Sequence, residues 1–473
     1  MALSSLRYLL FLGVTAGVYY CLPPRFRSPL LLAASLCFYA LLQPFYCLLL
    51  LAAAAVSWLC AAACKRRLWG RGRLWIALGA AWLFGMLFLY KYLDFFARSV
   101  QLLLGRPADF AGGLLLPVGI SFYTFTAAAY LFDVGGGRLE PEKAFWRYLL
   151  FLSFFPALLS GPINRGGALL PQLREPRGFS YPRFKRGLLR LTLGAAKKLI
   201  LADNLALLVN AAYGDLQQTP GFVMLAAVLC YPFQIYFDFA GYTDMALGSA
   251  EILGYSLPEN FRAPFLAQTI KDFWRRWHIS LTSWLRDYVY FPLGGSRVGR
   301  LRLYLNILTV FAVSGLWHGA GGTFLVWGLL NGLYQVIGML LPPKKTAHPR
   351  LAAVCRTVRT CLLIAAAWVF FRAETCSDAL AVWALILRHP LQGFGPGTLR
   401  LYIPLRRFLL ALGGMALYAV FAVRRERTGV SALAGLEERA LPYWLLIALT
   451  AFAVALFGCY GGFNPQSFVY FRF

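Results

Sequence analysis

Residues 28–64 hold no Asp, Glu, Lys or Arg. Wound as one helix at about 1.5 Å per residue, that run would reach about 55 Å, roughly twice the thickness of bilayer hydrocarbon. It must turn back on itself, and Gln43-Pro44 near its middle supplies the break, because proline cannot donate the N–H that continues a helix. Residues 303–343 form a second charge-free run, with His318-Gly319-Ala320-Gly321-Gly322 near its centre. A water-soluble chain needs no such runs, and this one has only 14% charged residues against 60% hydrophobic, where soluble domains average about 25% charged.

Shorter charge-free segments occupy 8–24, 74–90, 110–132, 216–237, 408–423 and 440–471. Two further candidates are less regular: 191–210, which contains Lys197, Lys198 and Asp203, and 358–372. Residues 148–163 are short and interrupted by Pro and Gly. The pattern predicts an all-α polytopic membrane protein of about twelve crossings (about 10–14), with re-entrant and interfacial pieces. It reads as one membrane domain over 1–473, with no charge-dense or Ser/Gly-rich linker and no short-period repeat. The first run continues into further spans and has no Ala-x-Ala-like site, so it is expected to be an anchor.

The chain carries 46 Lys plus Arg against 19 Asp plus Glu, a formal charge of +27. Arg25 and Arg27, the group from Lys65 to Arg73, the group Lys344, Lys345, Arg350, Arg356 and Arg359, and Arg424, Arg425 and Arg427 share one face of a twelve-span arrangement. Basic loops stay in the cytoplasm, so both termini are expected outside. Residues 165–198 carry nine more basic side chains and are expected to form an amphipathic surface segment on the inner side. No nucleic-acid motif accompanies these charges, which read as topology and contact with the lipid bilayer. The ten cysteines are scattered; none lies beside a histidine at metal-ligand spacing, so they read as small packing residues.

Polarity surviving inside the apolar chain is the functional signal. Gln234, Asp238 and Asp244 interrupt the aromatic stretch 231–245. A carboxylate near hydrocarbon costs several kcal/mol unless paired or facing water, so Asp238 and Asp244 either line a cavity or meet an arginine, as a structural ion pair or as a substrate contact. Pro258-Glu259-Asn260-Phe261 follows. Then Trp274, Trp277, Leu281, Trp284, Leu285 and Tyr288 recur at helical spacing while Arg275, Arg276, Arg286 and Asp287 fall largely elsewhere, which predicts an interfacial amphipathic helix. His278 lies on it, either as a structural imidazole or as a functional one.

His318 is the one side chain within 303–343 that ionises near neutrality, after Trp317 and before Gly319. An imidazole near neutrality can take a proton from a hydroxyl and return it to a leaving group. A structural hydrogen bond and ligation of a metal or haem are the alternatives. With four histidines in the chain, two of them His348 and His389 in loops, a three-histidine metal centre is hard to assemble, and no metal site is expected. No Gly-x-Ser-x-Gly elbow occurs, and Ser280 is two positions from His278, so the two do not share a helix face. Direct transfer is favoured over a covalent acyl-enzyme. Gly135-Gly136-Gly137 and Gly321-Gly322 fit no nucleotide fingerprint.

The strings Pro117-Val118-Gly119-Ile120-Ser121-Phe122-Tyr123-Thr124-Phe125, Gly161-Pro162-Ile163, 234–245, Pro258-Glu259-Asn260-Phe261, 273–295 and Trp317-His318-Gly319 resemble the membrane-bound O-acyltransferases. Within them, the chain is similar to the bacterial alginate O-acetyltransferase branch, related to the membrane proteins of teichoic acid D-alanylation. The resemblance is dense over about 110–335, the expected family core, and looser at the termini, where 468–473 matches an aromatic tail. It implies helices around a central funnel or tunnel in a bacterial cell membrane, with an acyl thioester (acetyl-coenzyme A or an acyl carrier) arriving from the cytoplasm and a glycan hydroxyl from outside. No tightly bound cofactor is implied. By position His318 matches the family's catalytic histidine and His278 its second one. Asn260, Arg276 and Asp287 fall in family strings and are expected to support the site, as are Arg275, Asp238, Asp244, Gln234 and Trp317. Phe291-Pro292-Leu293-Gly294-Gly295 favours the exopolysaccharide branch, with peptidoglycan O-acetylation and D-alanylation as alternatives. The implied partners are an extracytoplasmic acyltransferase, the glycan polymer and an acyl carrier protein. Outside the resemblance, the buried Asp238, Asp244 and His318 equally suit a transporter, and a silent envelope scaffold is the third reading.

Overall fold

A computed structural model describes residues 2–106, 112–159, 161–341, 348–430, 433 and 435–460. The basic pair Lys344 and Lys345, the aromatic tail 468–473 and the end of the 440–471 run lie outside the described residues. The described residues are helical and contain no strand. They form a polytopic arrangement in which seven helices are each long and apolar enough to cross a bilayer: Pro44–Lys65, Gly72–Leu103, Gly221–Ile252, Gly322–Leu340, Pro349–Arg372, Leu405–Thr428 and Ala440–Phe457. Leu6–Cys21 is apolar but shorter. The expected figure of about twelve also counted Pro24–Ala40, Ile120–Gly135 and Arg300–His318, which are shorter or carry charge and polar groups within the helix.

The helices obey bilayer rules of burial. In Leu405–Thr428 and Ala440–Phe457 few side chains are buried, and large apolar ones stand exposed, among them Leu409, Leu417, Leu441, Leu449 and Phe452. In water such a surface would drive aggregation; in hydrocarbon it is the solvated state.

Contacts divide the chain into two compact units, 1–191 with 245–258, and 192–244 with 259–473. In the first, the turn expected at Gln43-Pro44 is a short 3-10 helix, Pro44–Tyr46, joining Pro24–Ala40 to Cys47–Lys65. Cys47–Lys65, Gly72–Leu87 and Ile120–Gly135 pack together, and Gly79 permits it, since a Cβ there would lie 2.9 Å from Leu131 and 3.1 Å from Cys60. Glu142, almost fully buried, is held by Arg147 and Arg174 at 2.8 Å each.

In the second unit the run 303–343 folds as a helical hairpin, Arg300–His318 and Gly322–Leu340, broken at the glycines as expected. The two helices touch along their backbones: a Cβ on Gly315 would overlap the carbonyl oxygen of Phe324, and one on Gly328 that of Phe311. Small residues at such crossings let helices approach to dispersion contact, which is how helices associate where lipid removes the hydrophobic driving force. The segment 273–288 differs from its expected single amphipathic helix. It is two short helices, Ile270–Arg276 and Ile279–Leu285, followed by a π turn over Arg286–Tyr290.

Candidate active site

The hairpin delivers His318. Helix Arg300–His318 stops there because Gly319 is extended (φ −161°). The imidazole is 3% exposed, with its ring centroid 5.1 Å from Trp327 across the hairpin, 5.3 Å from Phe371 and 4.9 Å from Trp317. It therefore sits in an aromatic, water-poor cage, where a proton transfer meets little competition from solvent.

A second construction presents His278. Thr269 caps Ile270–Arg276 through its hydroxyl, which accepts from the Asp272 N–H at 3.1 Å. The helix then breaks at Trp277, and His278 adopts the left-handed region (φ +43°, ψ +54°). A non-glycine residue there is strained and needs support. Asn260 provides it: its carbonyl accepts from the Ile279 N–H at 2.9 Å, and its side-chain Oδ1 accepts from the Ser280 N–H (3.1 Å) and the Ser280 hydroxyl (3.0 Å). The same Oδ1 lies 3.1 Å from His278 Nδ1. A backbone N–H can only donate, so the amide orientation of Asn260 is fixed by Ser280, and Oδ1 faces His278. His278 Nδ1 must then carry the proton, leaving the lone pair on Nε2. Burial pushes the imidazole down to about 3, so it is neutral at physiological pH.

The two imidazoles stand 6.4 Å apart, centroid to centroid. Trp317 lies edge-on to both, 5.6 Å from His278, and Phe239 closes the other side of His278 at 4.7 Å. Below them Trp277 packs on Phe273 and on Trp368, at 5.5 and 4.8 Å. Among the buried donors beside the imidazoles, Asn260 Nδ2 and Trp327 Nε1 find no protein acceptor.

The remaining candidates have other neighbours. Asp238 meets Lys198 at 2.6 Å, both almost fully buried, and Lys198 also reaches Asp203 at 2.8 Å. Asp244 meets Lys197 at 2.6 Å. Both carboxylates thus find lysines, and Gly241 makes this geometry by letting its helix lie 2.8 Å from the Gly194 carbonyl and 3.0 Å from the Lys198 nitrogen, measured from where a Cβ would stand. Gln234 is buried, with Oε1 lacking a protein donor. Arg276 pairs with Asp272 (3.0 Å) and Glu426 (2.7 Å), Asp287 with Arg286 (2.9 Å), and Arg275 is exposed. Among the described residues no three His, Cys, Asp or Glu side chains group as a metal site. Trp327, Phe371 and the lysine partners were not singled out as site residues from sequence. Lys197 and Lys198 had left a signal, as charges inside an otherwise apolar stretch; Trp327 and Phe371 had left none.

A sequence model of the membrane-bound O-acyltransferase family matches residues 143–371. The probable alginate O-acetylase of Pseudomonas aeruginosa is 36% identical over 415 residues, covering 84% of this chain and 78% of that protein. The chain belongs to the membrane-bound O-acyltransferase family. The peptidoglycan O-acetyltransferase of Helicobacter pylori is 34% identical over 400 residues (79% of this chain, 76% of that one). The teichoic acid D-alanyltransferase of Bacillus subtilis is 31% identical over 229 residues, 46% of this chain and 57% of that one. This membrane-bound O-acyltransferase is accordingly a multi-pass membrane enzyme that transfers acyl groups to oxygen, and both imidazoles fall inside the matched segment.

Proposed function

We propose that the enzyme moves an acetyl group from a cytoplasmic thioester to a hydroxyl of an extracytoplasmic glycan, in the bacterial cytoplasmic membrane. The observation that carries this reading is the pair of buried imidazoles 6.4 Å apart, one with its tautomer fixed by Asn260. His318 takes the proton of the acceptor hydroxyl as its oxygen attacks the thioester carbonyl carbon. The C–S bond then breaks, and the proton passes to the departing sulfur, leaving an ester and a free thiol. His278, donating from Nδ1 to Asn260, uses Nε2 as an acceptor to orient the hydroxyl or the donor. Asn260 Nδ2 and Trp327 Nε1 supply hydrogen bonds to the oxyanion that develops on the carbonyl, commonly the largest catalytic contribution. Ser280 is committed to Asn260, which supports direct transfer over an acyl-enzyme.

The donor is coenzyme A or an acyl carrier thioester. Arg275, exposed at the end of its short helix, is the residue assigned to the donor's phosphates or to an acidic carrier surface; Arg276 already serves Asp272 and Glu426. The acceptor class follows the names of the relatives, an exopolysaccharide first and peptidoglycan or teichoic acid second. An extracytoplasmic acyltransferase completes delivery to the polymer. About twelve crossings with both termini outside, a single domain over 1–473 and a core over 110–335 complete the picture. The lysine pairing of Asp238 and Asp244 supports structural roles for these carboxylates and weighs against a transporter.

The deciding experiment uses full-length protein in liposomes with an acetyl thioester and candidate glycans. Free thiol release that depends on glycan and disappears in His318→Ala supports the reading. Solute flux without thioester consumption, or full transfer by a normally inserted His318→Ala, overturns it. Mass spectrometry of envelope glycans with and without the gene then identifies acyl group and acceptor together.

A further inference from the structure

A groove of about 680 Å³ runs along the second unit, away from the imidazoles. One wall is a continuous stripe of helix Pro349–Arg372, from Val354 through Val358 and Leu362 to Ala366; the facing residues come from Gly221–Ile252 (Leu225, Leu229) and Cys376–Arg388 (Trp383, Ile386). The lining is apolar except for Arg359.

Arg359 is misplaced for an apolar helix. From Arg372 back to Arg359 the helix rises only about 20 Å, while hydrocarbon is about 30 Å thick. A boundary at Arg372 would leave the Cα of Arg359 about 10 Å short of the other. A guanidinium at such depth needs an anion or a route to the interface. Its neighbour Arg356, one turn earlier, has a protein acceptor, binding Gln268 Oε1 through two nitrogens at 3.1 and 3.0 Å. Arg359 is exposed, and among the described residues no acidic side chain pairs with it. Side chains on a helix lean toward its N-terminus, so the guanidinium points from Arg359 toward the Cys355 and Val354 end of the groove, where a headgroup would sit. The apolar stripe beyond it, to Ala366, is about 10 Å of helix, and the whole groove about 18 Å, the scale of one extended acyl chain.

We infer that this groove is a binding site for an anionic glycerophospholipid, with one acyl chain lying along Val358, Leu362 and Ala366 and the phosphate on Arg359. Both walls that carry most of it belong to membrane-crossing helices, so the ligand arrives from the bilayer. The single cation selects among lipids by headgroup charge, and the apolar stripe binds any chain of suitable length.

The test uses the full-length chain purified in detergent, with phosphatidylglycerol and phosphatidylcholine of matched chains added separately, read by native mass spectrometry and by thermal unfolding. Wild-type protein should retain one phosphatidylglycerol and be stabilised by it, while Arg359→Gln should bind it about fivefold or more weakly, the effect of losing one cation near a lipid surface. Phosphatidylcholine should bind both proteins equally. Ala366→Trp, which fills the groove and leaves Arg359 in place, should lower retention of both lipids. Glycerol phosphate, a headgroup without chains, should not stabilise the wild type. Equal phosphatidylglycerol binding by Arg359→Gln would overturn the proposal, as would full stabilisation by glycerol phosphate, which would mark a free-anion site. Because Arg359 is exposed, its substitution leaves the fold intact and keeps the test interpretable if Ala366→Trp does not insert.

Discussion

Asn260 Oδ1 lies 3.1 Å from His278 Nδ1 while accepting two further hydrogen bonds from Ser280. That oxygen fixes the tautomer of the His278 ring and, together with the Asn260 carbonyl that accepts from Ile279, holds the left-handed backbone of His278. Replacing Asn260 with Ala removes the acceptor and frees the ring to present either nitrogen. Acyl transfer should fall by about tenfold or more, with thermal stability lowered by about 1–3 kcal/mol for the buried donors left unsatisfied. Rates and unfolding midpoints measured on the same preparation check both effects.

His278 also gives the fold a pH dependence of known sign. Burial holds the imidazole neutral, down to about 3, against about 6.5 in the unfolded chain. Below about 6.5 the unfolded state binds the proton that the folded state refuses, so this contribution is complete above that pH and is lost as pH falls toward 3. His278→Asn keeps a donor to Asn260, tolerates the left-handed region and does not titrate. Unfolding midpoints measured from pH 7.5 to 4.5 should fall more steeply for the wild type than for His278→Asn; parallel slopes would contradict the assignment.

For His318, substitution by Ala or Gln should reduce transfer by about 100- to 10,000-fold with unchanged membrane insertion, because the neighbouring imidazole, His278, is held by Asn260 and disfavoured by burial from taking a proton. Thioester consumption followed by thiol release is the readout. Retention of more than a tenth of the activity would remove His318 from proton transfer.

The Lys198–Asp238 pair is expected to be structural. Asp238→Asn leaves a buried ammonium with Asp203 as its one anionic partner among the described residues and should cost about 3–5 kcal/mol. Combining it with Lys198→Met and Asp203→Asn removes all three charges of the cluster, so the triple variant should recover much of the stability and also the activity. Recovered stability without activity would instead place Asp238 at the substrate.

Gly328→Ala tests the hairpin. The added methyl overlaps the Phe311 carbonyl oxygen, so the helices must part, at a cost of about 1–3 kcal/mol. His318 and Trp327 sit on opposite arms, and transfer should drop along with stability.

Much of this enzyme follows from local sequence. Charge-free runs broken by Gln43-Pro44 and by Gly319 to Gly322 specify helical membrane hairpins, because hydrocarbon offers backbone groups no partner outside the helix itself. The isolation of His318 within 303–343 is equally a property of the chain, and it marked the residue before any contact was known. The short helices around His278 were not legible, since the aromatic spacing of 274–288 suits one continuous helix. What interrupts it is Asn260, eighteen residues earlier, and such a hydrogen bond exists only when two segments meet. The lysine partners of Asp238 and Asp244 were hidden for the same reason: sequence shows that a buried carboxylate needs a cation, and only the close crossing at Gly241 decides which one. Local backbone chemistry thus determined the membrane architecture and the isolated histidine, while the tertiary structure decided the protonation, pairing and separation of the buried polar groups, because those depend on distances between residues the chain order keeps apart.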